Sequence, residues 1–188
     1  MDKEIEKIIG DSINAKKGIP IDRVREFCKI ILTSYKNKGK LLVCGNGGSA
    51  GDAQHMAGEL VNRFLIERVP LPCLALTTDT SVLTPISNDY SFDEVFSKQV
   101  EAFGEKEDVL IGISTSGNSR NIIKAVETAK NKGILTVCLL GKDGGILSRL
   151  CDYPIVVDCE FTPRIQEAHM LIIHIVCEIV EKELFKNN

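Results

Sequence analysis

His55 and Glu59 stand four residues apart in the stretch "QHMAGEL". That spacing puts both side chains on one face of a helix, about 6 Å apart. An imidazole nitrogen and a carboxylate oxygen so placed can share one metal ion, or can form only a helix-surface hydrogen bond. The chain has three histidines, and the other two, His169 and His174, lie in "RIQEAHMLIIH" near the C-terminus. His174 falls among Leu171, Ile172, Ile173, Ile175 and Val176, where a polar ring needs a partner. Gln166 stands eight residues earlier. Together His55, Glu59, Gln166 and His174 offer two nitrogens and two oxygens, a donor set suited to Zn²⁺ or a similar divalent ion. On one straight helix Gln166 and His174 lie about 12 Å apart along the axis and roughly 80° apart around it. One ion is therefore hardly within reach of both from a single chain. If all four are ligands, at least one comes from a neighbouring subunit. His169, five residues before His174, faces elsewhere and is expected to be a structural residue or a donor behind the ligands.

Two loops offer a second kind of chemistry. "CGNGGSA" and "ISTSGNS" each follow an apolar run and open a helical pattern. The second supplies the hydroxyls of Ser114, Thr115, Ser116 and Ser119, with Gly117 allowing close approach. Unpaired N–H groups and the positive end of the following helix complete a site for a phosphate. Neither GxxxxGK[ST] nor GxGxxG spacing is present, so the ligand is a small phosphate ester and not a nucleotide or dinucleotide. Ser, Asn and Gly also cap helices and turn corners without binding anything. Two such loops at one sheet edge favour binding.

The elements that must hold these groups are legible as an alternation. Residues 1–38 read as helical with a break near Gly18-Ile19-Pro20. The apolar runs "KLLVCG", "LPCLALTT", "DVLIGIS", "LTVCLLG" and "YPIVVDC" lack two-fold alternation, as strands covered on both faces do. Helical patterns lie between them over Ala50–Phe64, Phe92–Phe103, Arg120–Lys132 and a short stretch near Ile146–Leu150, and a long one closes the chain from Pro163 to Phe185. The class is α/β with about five parallel strands, and both loops fall at the carboxyl ends of strands, where such sheets bind ligands.

Composition narrows the setting. The 188 residues suit one domain. A net charge of −3 provides no basic field for nucleic acid. The charged start "MDKEIEKIIGDS" is unlike a signal peptide, and no apolar run approaches the roughly 18 residues of a membrane span. Seven cysteines scattered singly read as reduced thiols of a cytoplasmic protein.

Taken together, "CGNGGSAGDAQHMAGEL", "TTDTSVLTPISNDYSFDEVFSKQVEA", "GISTSGNSRNIIKA", "GKDGG" and "RIQEAHMLIIH" resemble the phosphoheptose isomerase family of the sugar-isomerase (SIS) fold group. The resemblance covers most of the chain beyond residue 38. It implies a three-layer α/β sandwich, a single SIS domain over residues 1–188 with a helical segment 1–38 and a core 39–188, and a homotetramer with N-terminal helices in its core and active sites between subunits. It implies conversion of sedoheptulose 7-phosphate to D-glycero-D-manno-heptose 7-phosphate, the first step toward activated heptoses for surface polysaccharide. The family's zinc ligands, one ion per subunit, map to His55, Glu59, Gln166 and His174. Its sugar-phosphate contacts map to Asn46, Gly47, Gly48, Asn88, Asp89, Ser114, Thr115, Ser116 and Ser119, with Glu59 and Gln166 beside them. For the enediolate route such an isomerisation needs, Glu59 is the candidate base and His174 the partner acid or proton shuttle. A carboxylate gripping zinc is a weaker base, so His174 taking the first proton stays open. Asp89 orients sugar hydroxyls or merely caps the turn before Phe92. Two rivals remain: an isomerase of another phosphosugar, and a non-enzymatic relative that binds the bacterial replication initiator. "NRFLIERVPLP" resembles the latter too, but those relatives lack counterparts of Glu59 and His174.

Overall fold

The computed structural model describes residues 1–186. The five apolar runs become β1 (Leu41–Gly45), β2 (Cys73–Ala75), β3 (Val109–Ser114), β4 (Leu135–Gly141) and β5 (Tyr153–Val157). They form one parallel sheet in the order β2-β1-β3-β4-β5. The helices are α1 (Asp2–Lys17), α2 (Ile21–Lys36), α3 (Gly48–Val61), α4 (Thr80–Asp89), α5 (Ser97–Phe103), α6 (Arg120–Asn131), α7 (Leu147–Leu150) and α8 (Thr162–Leu184). Leu41 and Val43 of β1 enter one apolar layer, shared with α2, α3 and α8. Leu42 and Cys44 enter the other, shared with α5, α6 and α7. Successive side chains of a strand point to opposite faces, and both faces of β1, β3 and β4 are covered here, while at the edge strand β2 Leu74 is 40% exposed. That is why the strands read as continuous apolar runs.

Three sequence expectations are corrected. The pattern over Phe92–Phe103 divides into a 3₁₀ turn (Phe92–Glu94) and α5. "LPCLALTT" yields only three strand residues, because Pro70 and Pro72 precede them at the sheet edge. α4 was not expected, since its sequence contains Pro85 and β-branched residues. Local hydrogen bonds hold it: the Asp79 carboxylate caps its start by accepting from Ser81 N at 2.9 Å, and the Thr84 hydroxyl donates to Thr80 O at 2.6 Å.

α3 and α8 lie side by side and run in the same direction. The Gln166 carboxamide sits against Gly48, where any Cβ would collide with it. One step of seven or eight residues further along both helices, His55 meets His174. Beyond the end of α3, the Glu181 carboxylate gathers the amides of Phe64, Leu65 and Ile66 at 2.9, 2.7 and 3.1 Å, plus Arg68 Nε at 2.9 Å. Arg68 turns its other nitrogens on the carbonyls of Glu59 and Leu60 at 2.9 and 2.7 Å, the groups a helix end leaves unpaired. Burial pushes the Glu181 carboxyl upward, but these donors outweigh it and hold it below the usual carboxylate range. Both side chains are fully enclosed, at 0% and 1% exposure. On the sheet side of α8, the ring of His169 is buried and its Nε2 donates to Leu140 O at 3.0 Å. It is a structural residue, facing away from His174.

Removing Glu181 leaves a buried guanidinium without a counter-charge and three amides without an acceptor. Glu181→Ala is expected to cost about 3–5 kcal/mol in denaturant unfolding, whereas Glu178→Ala, which breaks an exposed pair with Lys182, should cost less than about 1 kcal/mol. His169 sets a pH dependence. Burial holds its ring down to about 4, with the Leu140 bond opposing, while an unfolded histidine titrates near 6.5. Between those values only the unfolded chain takes the proton, so stability present above pH 6.5 is lost as the pH falls toward 4. Urea midpoints should show a loss of about 2 kcal/mol between pH 7 and pH 5 from this ring, and His169→Gln should flatten that part of the profile.

Candidate active site

The outward face of α3 carries His55 and Glu59, while Ala53, Met56 and Leu60 of the same helix point into the core. α8 divides likewise, with Ile172, Ile173, Val176 and Cys177 inward and His174 half-buried at the seam. His55 Nε2 and His174 Nε2 come within 2.9 Å, and Glu59 Oε1 lies 3.1 Å from His55 Nε2. The three donor atoms lie within 4.8 Å of one another. Two imidazole nitrogens and a carboxylate oxygen converging on one point fit a divalent ion of the zinc type. The ring of Phe64 packs over His174 with centroids 5.7 Å apart, so the turn gathered by Glu181 also walls this site. One turn before His55, Asp52 is buried with its Oδ2 unpartnered. Burial pushes its carboxyl up to about 6 against the opposing influence of His55.

The loops form a second group, at the carboxyl ends of β1 and β3. These strands flank the point where the strand order reverses, the crevice in which open parallel sheets bind ligands. Ser114 Oγ lies 2.9 Å from Ser119 Oγ. Gly117, at φ +65°, packs directly on the backbone of Gly144, which ties the serine loop to "GKDGG" and leaves no room for a side chain. Asn118 braces the same junction by donating to Ser116 O at 2.9 Å and accepting from Ile146 N at 3.0 Å. A cavity of about 140 Å³ is lined by Gly45, Asn46, Gly47, Ala50, Thr77, Leu83, Phe92 and Phe96. The turn bearing Phe92 is anchored to α6 by ion pairs Asp93–Arg120 and Glu94–Lys124. Asn88 and Asp89 close α4, exposed and bonded to each other at 2.8 Å, outside the residues that line the cavity.

One chain thus brings together His55, Glu59 and His174, and separately gathers Asn46, Gly47, Gly48, Ser114, Thr115, Ser116 and Ser119 at the sheet edge. Gln166 belongs to the loop group through its contact with Gly48. Seven residues of α3, about 10 Å of helix, separate it from His55. Within this chain Gln166 therefore lies against Gly48, and His174 against His55. Sequence reading missed Asn121, Asn118, Phe64, Arg68 and Glu181. Glu181 had a signal, since it stands seven residues after His174 on the apolar stripe of α8.

Comparison with known proteins agrees with this architecture. The SIS domain family model matches residues 14–141. The phosphoheptose isomerase of Clostridium acetobutylicum is 54% identical over 186 residues, 96% of this chain and 95% of that protein. The phosphoheptose isomerase of Sulfurimonas denitrificans is 50% identical over 190 residues, 98% of this chain and 97% of that protein. The solved structure of phosphoheptose isomerase from Neisseria gonorrhoeae matches at TM-score 0.89 and 42% identity, covering 96% of this chain and 98% of that one. With that extent of identity and that likeness of fold, the chain belongs to the phosphoheptose isomerase family of SIS-domain proteins and is an isomerase.

Proposed function

We propose that this chain converts sedoheptulose 7-phosphate to D-glycero-D-manno-heptose 7-phosphate through an enediolate, using one zinc ion per subunit and sites shared between copies of a homotetramer. The observation that carries the reading is the convergence of His55, Glu59 and His174 at 2.9–3.1 Å on the outer face of the α3–α8 seam. The phosphoheptose substrate is that of the relatives, which are phosphoheptose isomerases. The reaction serves the first step toward activated heptoses for surface polysaccharide. It takes place in the cytoplasm, a reducing setting that suits seven free thiols, and among the described residues no helix is long and apolar enough to cross a membrane.

The residues divide the work as follows. Ser114, Thr115, Ser116 and Ser119, with the start of α6, hold the phosphate. Asn46, Gly47, Gly48, Asn88, Asp89 and Gln166 hold and orient the sugar hydroxyls. Glu59 removes the proton from C1 of the open-chain ketose, and His174 returns one to C2 while a hydroxyl proton passes from O1 to O2. Bound zinc would supply a Lewis acid that polarises the sugar oxygens. His55, Glu59 and His174 of one copy would hold it, with Gln166 of another as the fourth ligand.

Self-association has its own support. Ile5, Ile8, Ile9 and Ile13 are 49%, 46%, 55% and 47% exposed along α1, an apolar stripe at helical spacing that calls for a partner surface. We read residues 1–188 as one SIS domain in which α1 serves assembly.

Incubating zinc-loaded protein with sedoheptulose 7-phosphate in D₂O should yield an aldoheptose 7-phosphate carrying deuterium at C2, followed by NMR. No new sugar would sink the substrate assignment. Glu59→Gln and His174→Gln should each lower kcat/KM by roughly 10²–10⁴-fold with the thermal midpoint retained, and full activity in either would end its catalytic role. Chelation should lower turnover and added Zn²⁺ restore it; metal-free protein, verified by elemental analysis, running at the full rate would refute the metal assignment.

A further inference from the structure

Asn121 is the second residue of α6 and is buried, at 3% exposure. It faces Asn46, the first residue beyond β1. The two carboxamides bond reciprocally: Asn46 Nδ2 donates to Asn121 Oδ1 at 2.9 Å, and Asn121 Nδ2 donates to Asn46 Oδ1 at 2.8 Å. Asn121 Oδ1 also accepts from Ile122 N at 3.0 Å. That backbone donor requires an oxygen and not an NH₂ group, so it fixes which way round the Asn121 amide sits. The reciprocal pair then transmits the choice to Asn46, because a flipped Asn46 would set NH₂ against NH₂ and oxygen against oxygen. Asn46 lines the 140 Å³ cavity and Asn121 does not. What Asn46 has left for a ligand is one N–H and one oxygen lone pair, both with their direction set from behind.

The pair also bridges neighbouring strands at the reversal point of the sheet, joining the loop after β1 to the first turn of the helix after the serine loop. We propose that Asn121 is a positioning residue for the sugar phosphate: it orients the Asn46 amide toward the sugar and locks the sugar-side loop to the phosphate-side loop. This rests on the isomerase reading above, and turnover of sedoheptulose 7-phosphate by the unaltered protein tests that reading by itself, before any variant is compared.

Zinc-loaded wild type, Asn121→Ala, Asn46→Ala and the double variant are assayed for kcat, KM and the inhibition constant of inorganic phosphate. Asn121→Ala should raise KM about tenfold, the effect of losing one well-aimed hydrogen bond, while the phosphate constant changes less than about twofold. The double variant should be no worse than the worse single one, because both remove the same contact. If Asn121→Ala does not fold, Asn121→Ser keeps an acceptor for Ile122 N without reaching both atoms of Asn46, and the same KM rise is expected. A folded variant with unchanged KM, equal loss of sugar and phosphate affinity, or singly measured losses that multiply in the double variant would each overturn the proposal.

Discussion

The arrangement of the molecule depends on the seam where α3 and α8 run side by side in the same direction. Two helices with a common heading keep a constant offset, so residues seven or eight apart on each meet in sequence: Gly48 with Gln166, His55 with His174, and the turn after α3 with Glu181. The enclosed Arg68–Glu181 pair fixes that offset. A buried ion pair often contributes little net stability, since removing two charges from water offsets much of their attraction. Its value here is geometric. Four donors on one carboxylate and four carbonyls on one guanidinium leave a single arrangement of the chain between Glu59 and Val69, and Phe64 is carried onto His174 by it.

From that constraint follows the division of chemistry along α3. The first turn of the helix belongs to the sheet edge, where loops from adjacent strands gather N–H groups and hydroxyls. Its latter half belongs to the seam, where imidazoles and a carboxylate converge. The two groups are held rigidly by one element, and the rise of the helix keeps them apart. The half-exposed triad, with the His55 side chain at 40% exposure, faces outward from the chain that makes it.

Much of this is legible in the sequence. Covered strands announce themselves as apolar runs without alternation, and the five runs mark the five strands of the described residues. His55 and Glu59 were readable because a period of 3.6 turns a spacing of four into a shared face. The distance between Gln166 and His174 was readable from the rise per residue alone. What escaped depends on contacts between distant segments. Nothing near Asn121 in the sequence indicates that its partner is Asn46, 75 residues away. Arg68 looks like one more charge in a loop until the fold encloses it. α4 was illegible for another reason: Pro85 and the β-branched residues hide it from propensity, while side chain-to-backbone hydrogen bonds and the half-buried Leu83 and Ile86, packed against the core, hold it in place.

The borders of the sheet carry a further consequence. β2 is three residues long and follows Pro70 and Pro72, while β5, at the opposite edge, contains Pro154. Proline offers no N–H to an incoming strand, and an edge that short presents little template. Edge-to-edge stacking of sheets, a route from a folded α/β chain to an aggregate, is therefore disfavoured on both sides. The helical surfaces carry no such bar to contact between copies.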